Sequence, residues 1–201
     1  MNKRIKKKKI KQQNKMLIKQ FPFLMPRNVW TNKELEKYDY SWTLLDDMPR
    51  GWKKAFGKLI CEDIMKELVS KNLVDEYRIF EIKEKYGTLR WYDNGGTEEI
   101  YKIIMKYEHI SEFTCVECGK VNVPIINEGW IQPMCRCCYN RHSKRKAKFG
   151  LNTNYDNAIE TKANLSPILK VTRFSKEENI TEEYDCSDIL KRMKVNIKAV
   201  V

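Results

Sequence analysis

The 201-residue sequence has no apolar run near the ~20 residues that cross a bilayer; stretches such as residues 123–126 stop after four. Its basic start is not followed by an apolar stretch and a small-residue cleavage site, so no secretory signal is read there. These two absences predict a soluble intracellular protein. Histidine occurs only at His109 and His142. There is no nucleophile elbow, no Gly-rich loop to cradle phosphate, and no histidine spare to build a cysteine dyad. Acidic residues are missing altogether from residues 1–20 and 136–148.

Those two acid-free stretches carry most of the charge imbalance. The first holds nine Lys/Arg and the second six, while the other residues hold 24 basic against 27 acidic side chains. The net charge of +12 therefore describes a near-neutral body with two cationic segments. Segregated like charge repels itself and is either solvated or bound to a partner.

Cysteine is the other uneven residue. Five of the seven lie within 24 residues, as Cys115-x-x-Cys118, a gap of 16, and Cys135-x-x-Cys138. An odd count without a secretion signal argues against a disulfide framework. Each C-x-x-C pair curls two thiolates toward one point, and two pairs complete a tetrahedron. The spacing predicts that Cys115, Cys118, Cys135 and Cys138 hold one structural Zn2+. Gly119 supports the knuckle, because a residue with positive φ often follows its second ligand. Four sulfur ligands leave no open position, so the expected metal activates no water. Cys137 could substitute for Cys138 or project outward as a free thiol, and the outward placement is favoured. Cys61 reads as a core residue, and Cys186 has no evident role.

Along the chain, residues 1–20 read as a Lys-rich arm, mobile or a frayed helix. Phe21-Pro22-Phe23-Leu24-Met25-Pro26 is extended and cannot continue a helix. Trp30, Tyr38, Tyr40 and Trp42 suggest an irregular region lying over a core. Residues 51–72 repeat Trp52, Phe56, Leu59, Ile60, Ile64 and Leu68 at three- and four-residue steps, a helix signal. Residues 78–92 read as a hairpin turning at Lys85-Tyr86-Gly87-Thr88. Thr97 is a good N-cap for a second helix with Ile100, Ile103, Ile104, Tyr107 and Ile110 on one face. Beyond Gly150 the chain becomes polar, with a short helix over residues 187–193. The fold class is α+β: a small mixed domain whose β-hairpin packs on helices, with a four-cysteine zinc ribbon. The expected organisation is a basic arm (1–20), an α+β core (21–112), the ribbon (113–140), and a basic segment with a polar, partly disordered tail (141–201).

Several strings are distinctive together: Phe21 to Asn28, Asp39-Tyr40-Ser41, Met48-Pro49-Arg50-Gly51-Trp52-Lys53-Lys54-Ala55-Phe56-Gly57, and Ile82-Lys83-Glu84-Lys85-Tyr86-Gly87-Thr88-Leu89-Arg90-Trp91-Tyr92. With Tyr107-Glu108 and Gly129-Trp130, they resemble a family of small phage and prophage proteins over about residues 20–140. The resemblance implies a family-wide zinc site and the cytoplasm of an infected or lysogenic bacterial host. It implies no mechanism, and the arm and tail fall outside it.

Enzymatic readings fit poorly. A zinc deaminase needs H-x-E followed by P-C-x-x-C, whereas His109 and Glu112 are three apart and Pro133 is separated from Cys135 by Met134. An HNH-like metal-dependent nuclease needs a histidine in a catalytic hairpin, but neither histidine lies between the cysteine pairs. His142 as its base is the weaker alternative. Acidic neighbours such as Asp46/Asp47, Glu98/Glu99 and Glu177/Glu178 read as solvated surface. The positive signal is basic. Lys6, Lys7, Lys8 and Lys9 on the arm, and Arg136, Arg141, Lys144, Arg145, Lys146 and Lys148 beside the second knuckle, suit nucleic-acid phosphates. Tyr139, Trp130, Trp91 and Tyr92 could stack on bases if exposed, although core packing suits Trp52 and Trp91 better. No base-reading motif is present, so binding of low sequence specificity is expected. A solvated tail is the plainer reading of both basic runs. The rival partner is a host protein, bound and inhibited in counter-defence or host takeover.

Overall fold

Leu17 and Ile18 end an otherwise Lys-rich stretch, and those apolar side chains seat it. The computed structural model describes residues 3–28, 31, 33–150, 153–174 and 179–195. In it the expected mobile arm is a helix, α1 (Lys3–Gln20). Its last turns pack Leu17 and Ile18 against the core, and the buried Asn14 amide donates to the Tyr40 carbonyl at 2.9 Å. Lys11 pairs with Asp39 at 2.6 Å, holding that exposed carboxyl down at about 2, chiefly through the lysine hydrogen bond. Residues 3–10 are all exposed, so only the first half of the helix has the character of an arm. Trp30 and the Glu177/Glu178 pair lie outside the described residues.

Pro22 ends α1, and a 3-10 turn at Pro22–Leu24 buries Phe23 and Leu24. A second, Leu44–Asp47, is closed by reciprocal capping between Thr43 and Asp46. The long apolar stripe then forms one helical rod. It starts as α2 (Arg50–Trp52), passes through a π-helical turn at Lys53–Gly57, and continues as α3 (Lys58–Lys71). Trp52, Phe56, Ile60, Cys61, Ile64 and Leu68 are buried along it. Asn72, at φ 58°, ends the rod in the left-handed conformation.

Strands β1 (Arg78–Lys85) and β2 (Thr88–Asn94) pair antiparallel with Ile82 opposite Trp91. Tyr86 and Gly87, at φ 54° and 80°, make the two-residue turn whose twist matches the strands. Thr97 caps α4 (Glu98–Glu112), which buries Ile100, Ile104, Tyr107 and Ile110 against the rod and hairpin. The Ser111 hydroxyl accepts the Leu89 N–H at 2.8 Å, tying helix to strand.

The ribbon follows without a linker. Strands β3 (Ile125–Asn127) and β4 (Ile131–Pro133) lead into α5 (Arg136–Ala147). The polar tail departs from expectation. After α6 (Tyr155–Ala158), strand β5 (Ile159–Thr161) pairs with β3, giving a three-stranded sheet in the order β4-β3-β5. Strands β6 (Ile168–Phe174) and β7 (Asn179–Asp185) form a hairpin, and α7 (Ser187–Arg192) returns to α3. There Arg192 meets Asp63 at 2.6 Å, while Cys186, Ile189 and Leu190 are buried. Sparse apolar residues suffice because each docks on a surface made elsewhere.

Candidate metal centre and cationic surface

Thr114 begins the first knuckle at the end of α4. Its hydroxyl donates to the Ile110 carbonyl, and its own carbonyl accepts the buried Trp52 indole N–H at 2.6 Å. Cys115 N–H bonds Lys120 O at 2.8 Å and Gly119 N–H bonds Cys115 O at 3.0 Å, closing the loop. Gly119 sits at φ 81°, as the sequence expects of the residue after the second cysteine. The second pair is placed by α5. Cys135 stands at its N-cap and Cys138 in its first turn.

The two halves bring the sulfurs of Cys115, Cys118, Cys135 and Cys138 within 4.8 Å of one another. Cys118 and Cys135 sulfurs are 3.7 Å apart. A tetrahedron with metal–sulfur bonds of ~2.3 Å has edges of ~3.8 Å. The donor set therefore fits a metal ion. Cys115, Cys135 and Cys138 are buried, Cys118 partly so. Burial pushes the Cys115 and Cys138 thiols up. Burial also opposes ionisation of Cys118, but the Lys120 N–H and the neighbouring thiols outweigh it and hold that group down. Four thiolates brought this close repel one another, and a cation is what lets all four ionise. Cys137 points outward and is exposed, and Cys61 is in the core, both as expected.

One supporting residue carries no chemical signal in the sequence. The Gly51 N–H donates to Val116 O at 2.8 Å, and a Cβ on Gly51 would lie 2.2 Å from the Cys115 carbonyl oxygen. The start of the rod thus rests directly on the knuckle backbone. Gly119 meets the same place from the other side, 2.6 Å from Gly51 O if given a Cβ. Gly51→Ala must displace one backbone from the other. It is expected to destabilise the fold by ~1–3 kcal/mol and weaken metal retention ~10–100-fold, as loss of a ligand-supporting contact does. Competition with a chromophoric chelator measures the second effect. Retention equal to that of the parent chain would contradict it.

The expected phosphate-binding residues divide into two groups. Arg141, Lys144, Arg145 and Lys148 are exposed along one face of α5 and just beyond it. Arg136 is instead paired with both oxygens of Asp156 and stacked over Tyr155, and Lys146 holds Glu128 at 2.6 Å. Lys6, Lys7, Lys8 and Lys9 are exposed on α1. The histidines are occupied separately. His142 Nε2 lies 3.6 Å from Glu117, and His109 Nε2 meets Ser166 O at 3.0 Å.

The stacking candidates divide as well. Tyr139 is buried, donates to Glu128 at 2.5 Å and meets Tyr155 edge-on, so it is removed as a base-stacking residue. Trp91 is buried with its indole N–H on Tyr77 Oη, the core placement that the sequence favours over stacking. Trp130 and Tyr92 are exposed. Tyr86 was missed as an exposed ring; its place in a two-residue turn was the signal available.

Comparison with protein-family models, curated proteins and solved structures gave no match. Among the described residues no helix is long and apolar enough to cross a membrane.

Proposed function

We propose that this is a phage or prophage accessory protein of the host cytoplasm that binds nucleic acid with low sequence specificity. The observation that carries this reading is the outward cationic face of α5, set rigidly by the cysteine cluster at its first turn. Arg141, Lys144, Arg145 and Lys148 sit there without acids on the same segment. Such a face neutralises phosphates and releases their counterions. The Lys-rich first half of α1 adds a second phosphate-binding element. Soft thiolates in a tetrahedral set of four favour Zn2+, and we assign it a structural role: holding the knuckles so that α5 leaves the ribbon in one direction.

The test is a salt titration of full-length protein on labelled DNA and RNA. Log K against log salt should fall linearly with a slope of about −0.9 per phosphate contacted on duplex DNA. A host protein retained at high salt after nuclease treatment, with no nucleic-acid binding at low salt, would replace this reading by the counter-host one. An interface with an apolar centre survives salt that strips phosphate contacts.

A further inference from the structure

Three aromatic rings stand in solvent at two hairpin tips and just after α5: Trp130 is 63% exposed, Tyr86 70% and Phe149 82%. Large apolar side chains at such exposure contribute little to the core. Their positions are linked through a short series of contacts. Glu128, Gly129 and Trp130 form the tip between β3 and β4. Glu128 is held down by Lys146 in the last turn of α5, and Phe149 follows three residues later with its N–H on Lys146 O at 2.8 Å. On the other side the Trp130 indole N–H donates to Glu84 at 3.3 Å. The same carboxylate accepts the Gly87 N–H at 2.6 Å, beside Tyr86. Gly87 packs directly on β4; a Cβ there would lie 3.4 Å from Pro133 Cδ. Two hairpin tips and the end of α5 are therefore brought to one region. Two carboxylates there are engaged: Glu84 by the two N–H groups, Glu128 by Lys146 and Tyr139.

We infer that Trp130, Phe149 and Tyr86 form a stacking platform at the C-terminal end of α5, and that the preferred ligand is single-stranded nucleic acid. The inference rests on the nucleic-acid reading above and narrows it. In a duplex the base faces are covered by their neighbours, and only edges and phosphates remain for a protein to touch. A single strand offers both phosphates and base faces. Stacking on aromatic rings is sequence-tolerant because every base has a π-face, which matches a chain without a base-reading motif. Lys148, adjacent to Phe149 at the end of α5, and Arg141, Lys144 and Arg145 further back on the same helix supply the complementary charge.

The experiment compares fluorescein-labelled oligo(dT) with a duplex of equal length at one salt concentration, using the full-length metal-loaded chain. The variants are Trp130→Ala, Phe149→Ala and Trp130→Phe, each checked for metal content and melting temperature. Trp130→Ala and Phe149→Ala should each weaken oligo(dT) binding about ten-fold while leaving the duplex unchanged. Trp130→Phe keeps a ring but loses the N–H to Glu84, so it should remain near the parent affinity. The platform is overturned if both alanine variants bind oligo(dT) like the parent while removal of the α5 charges weakens it; phosphate binding then stands alone. Equal losses on duplex and single strand overturn it as well. Absence of binding to either nucleic acid at low salt overturns both this inference and the reading beneath it.

Discussion

Cys118→Ser is expected to lose the metal and unfold the ribbon, the largest effect of any single substitution in this chain. Metal binding in such sites contributes roughly 10–16 kcal/mol of apparent folding free energy, more than most domains have to spare. The loss should travel. The sheet of β4, β3 and β5 joins the knuckles to residues 159–161, and α5 leaves from Cys135 and Cys138. Hydrogen exchange should therefore rise in β5 and α5 together, while β1, β2 and α4 keep their own buried contacts. Strong chelation of the parent chain should reproduce the pattern. Full metal content with an unchanged melting temperature in Cys118→Ser would refute the four-cysteine site.

The same chemistry predicts opposite pH trends for the two forms. With metal bound, each thiolate must take up a proton to leave, so stability falls as pH falls. Without metal, Cys115 and Cys138 are held above the ordinary thiol value by burial. The metal-free fold then binds those protons more tightly than the unfolded chain. That contribution is present below the unfolded value of about 8.5 and is lost as pH rises through the folded values. Cys118, held down, works the other way below that value, so melting curves with and without chelator should slope in opposite directions only above about pH 8.5.

Replacing Arg141, Lys144, Arg145 and Lys148 together by alanine should reduce the salt slope on duplex DNA by about 3–4, since each phosphate contact contributes about 0.9. Between ~50 and ~200 mM salt the parent should therefore lose roughly 100-fold more affinity than the variant. All four side chains are exposed, so stability should change by less than ~0.5 kcal/mol each. Arg136→Ala and Lys146→Ala should move the slope less, because Asp156 and Glu128 already engage those charges. A quadruple variant with the parent's slope and affinity would remove α5 from the interface.

The cysteine cluster was the most legible feature, because two C-x-x-C units state their geometry in local spacing. The helical rod was legible for the same kind of reason: Trp52 to Leu68 repeat at the period of a helix. The hairpin turn followed from Gly87. The tail after Gly150 was not legible. Tyr155 and Leu165 are isolated apolar residues in a polar stretch, and they are buried where Met134 O accepts the tyrosine hydroxyl and the Asn122 side chain accepts the Leu165 N–H. Such pairings leave no periodic trace. The basic residues showed the reverse problem. Their number was plain, but charge counts do not distinguish Arg145, which faces solvent, from Arg136, which is folded onto Asp156.

Sequence alone determined the four-cysteine cluster, the long helical stripe, the hairpin and the concentration of positive charge in two segments. These depend on residues close together in the chain, so spacing and composition express them directly. Only tertiary structure decided that Gly51 must rest on the Cys115 carbonyl, that β5 completes the ribbon sheet, and which cations remain outward. It also decided that Tyr139 is a core ring while Trp130 and Tyr86 are not. Each of those outcomes depends on which surfaces meet across long stretches of chain, where packing and charge pairing, not local preference, select the arrangement.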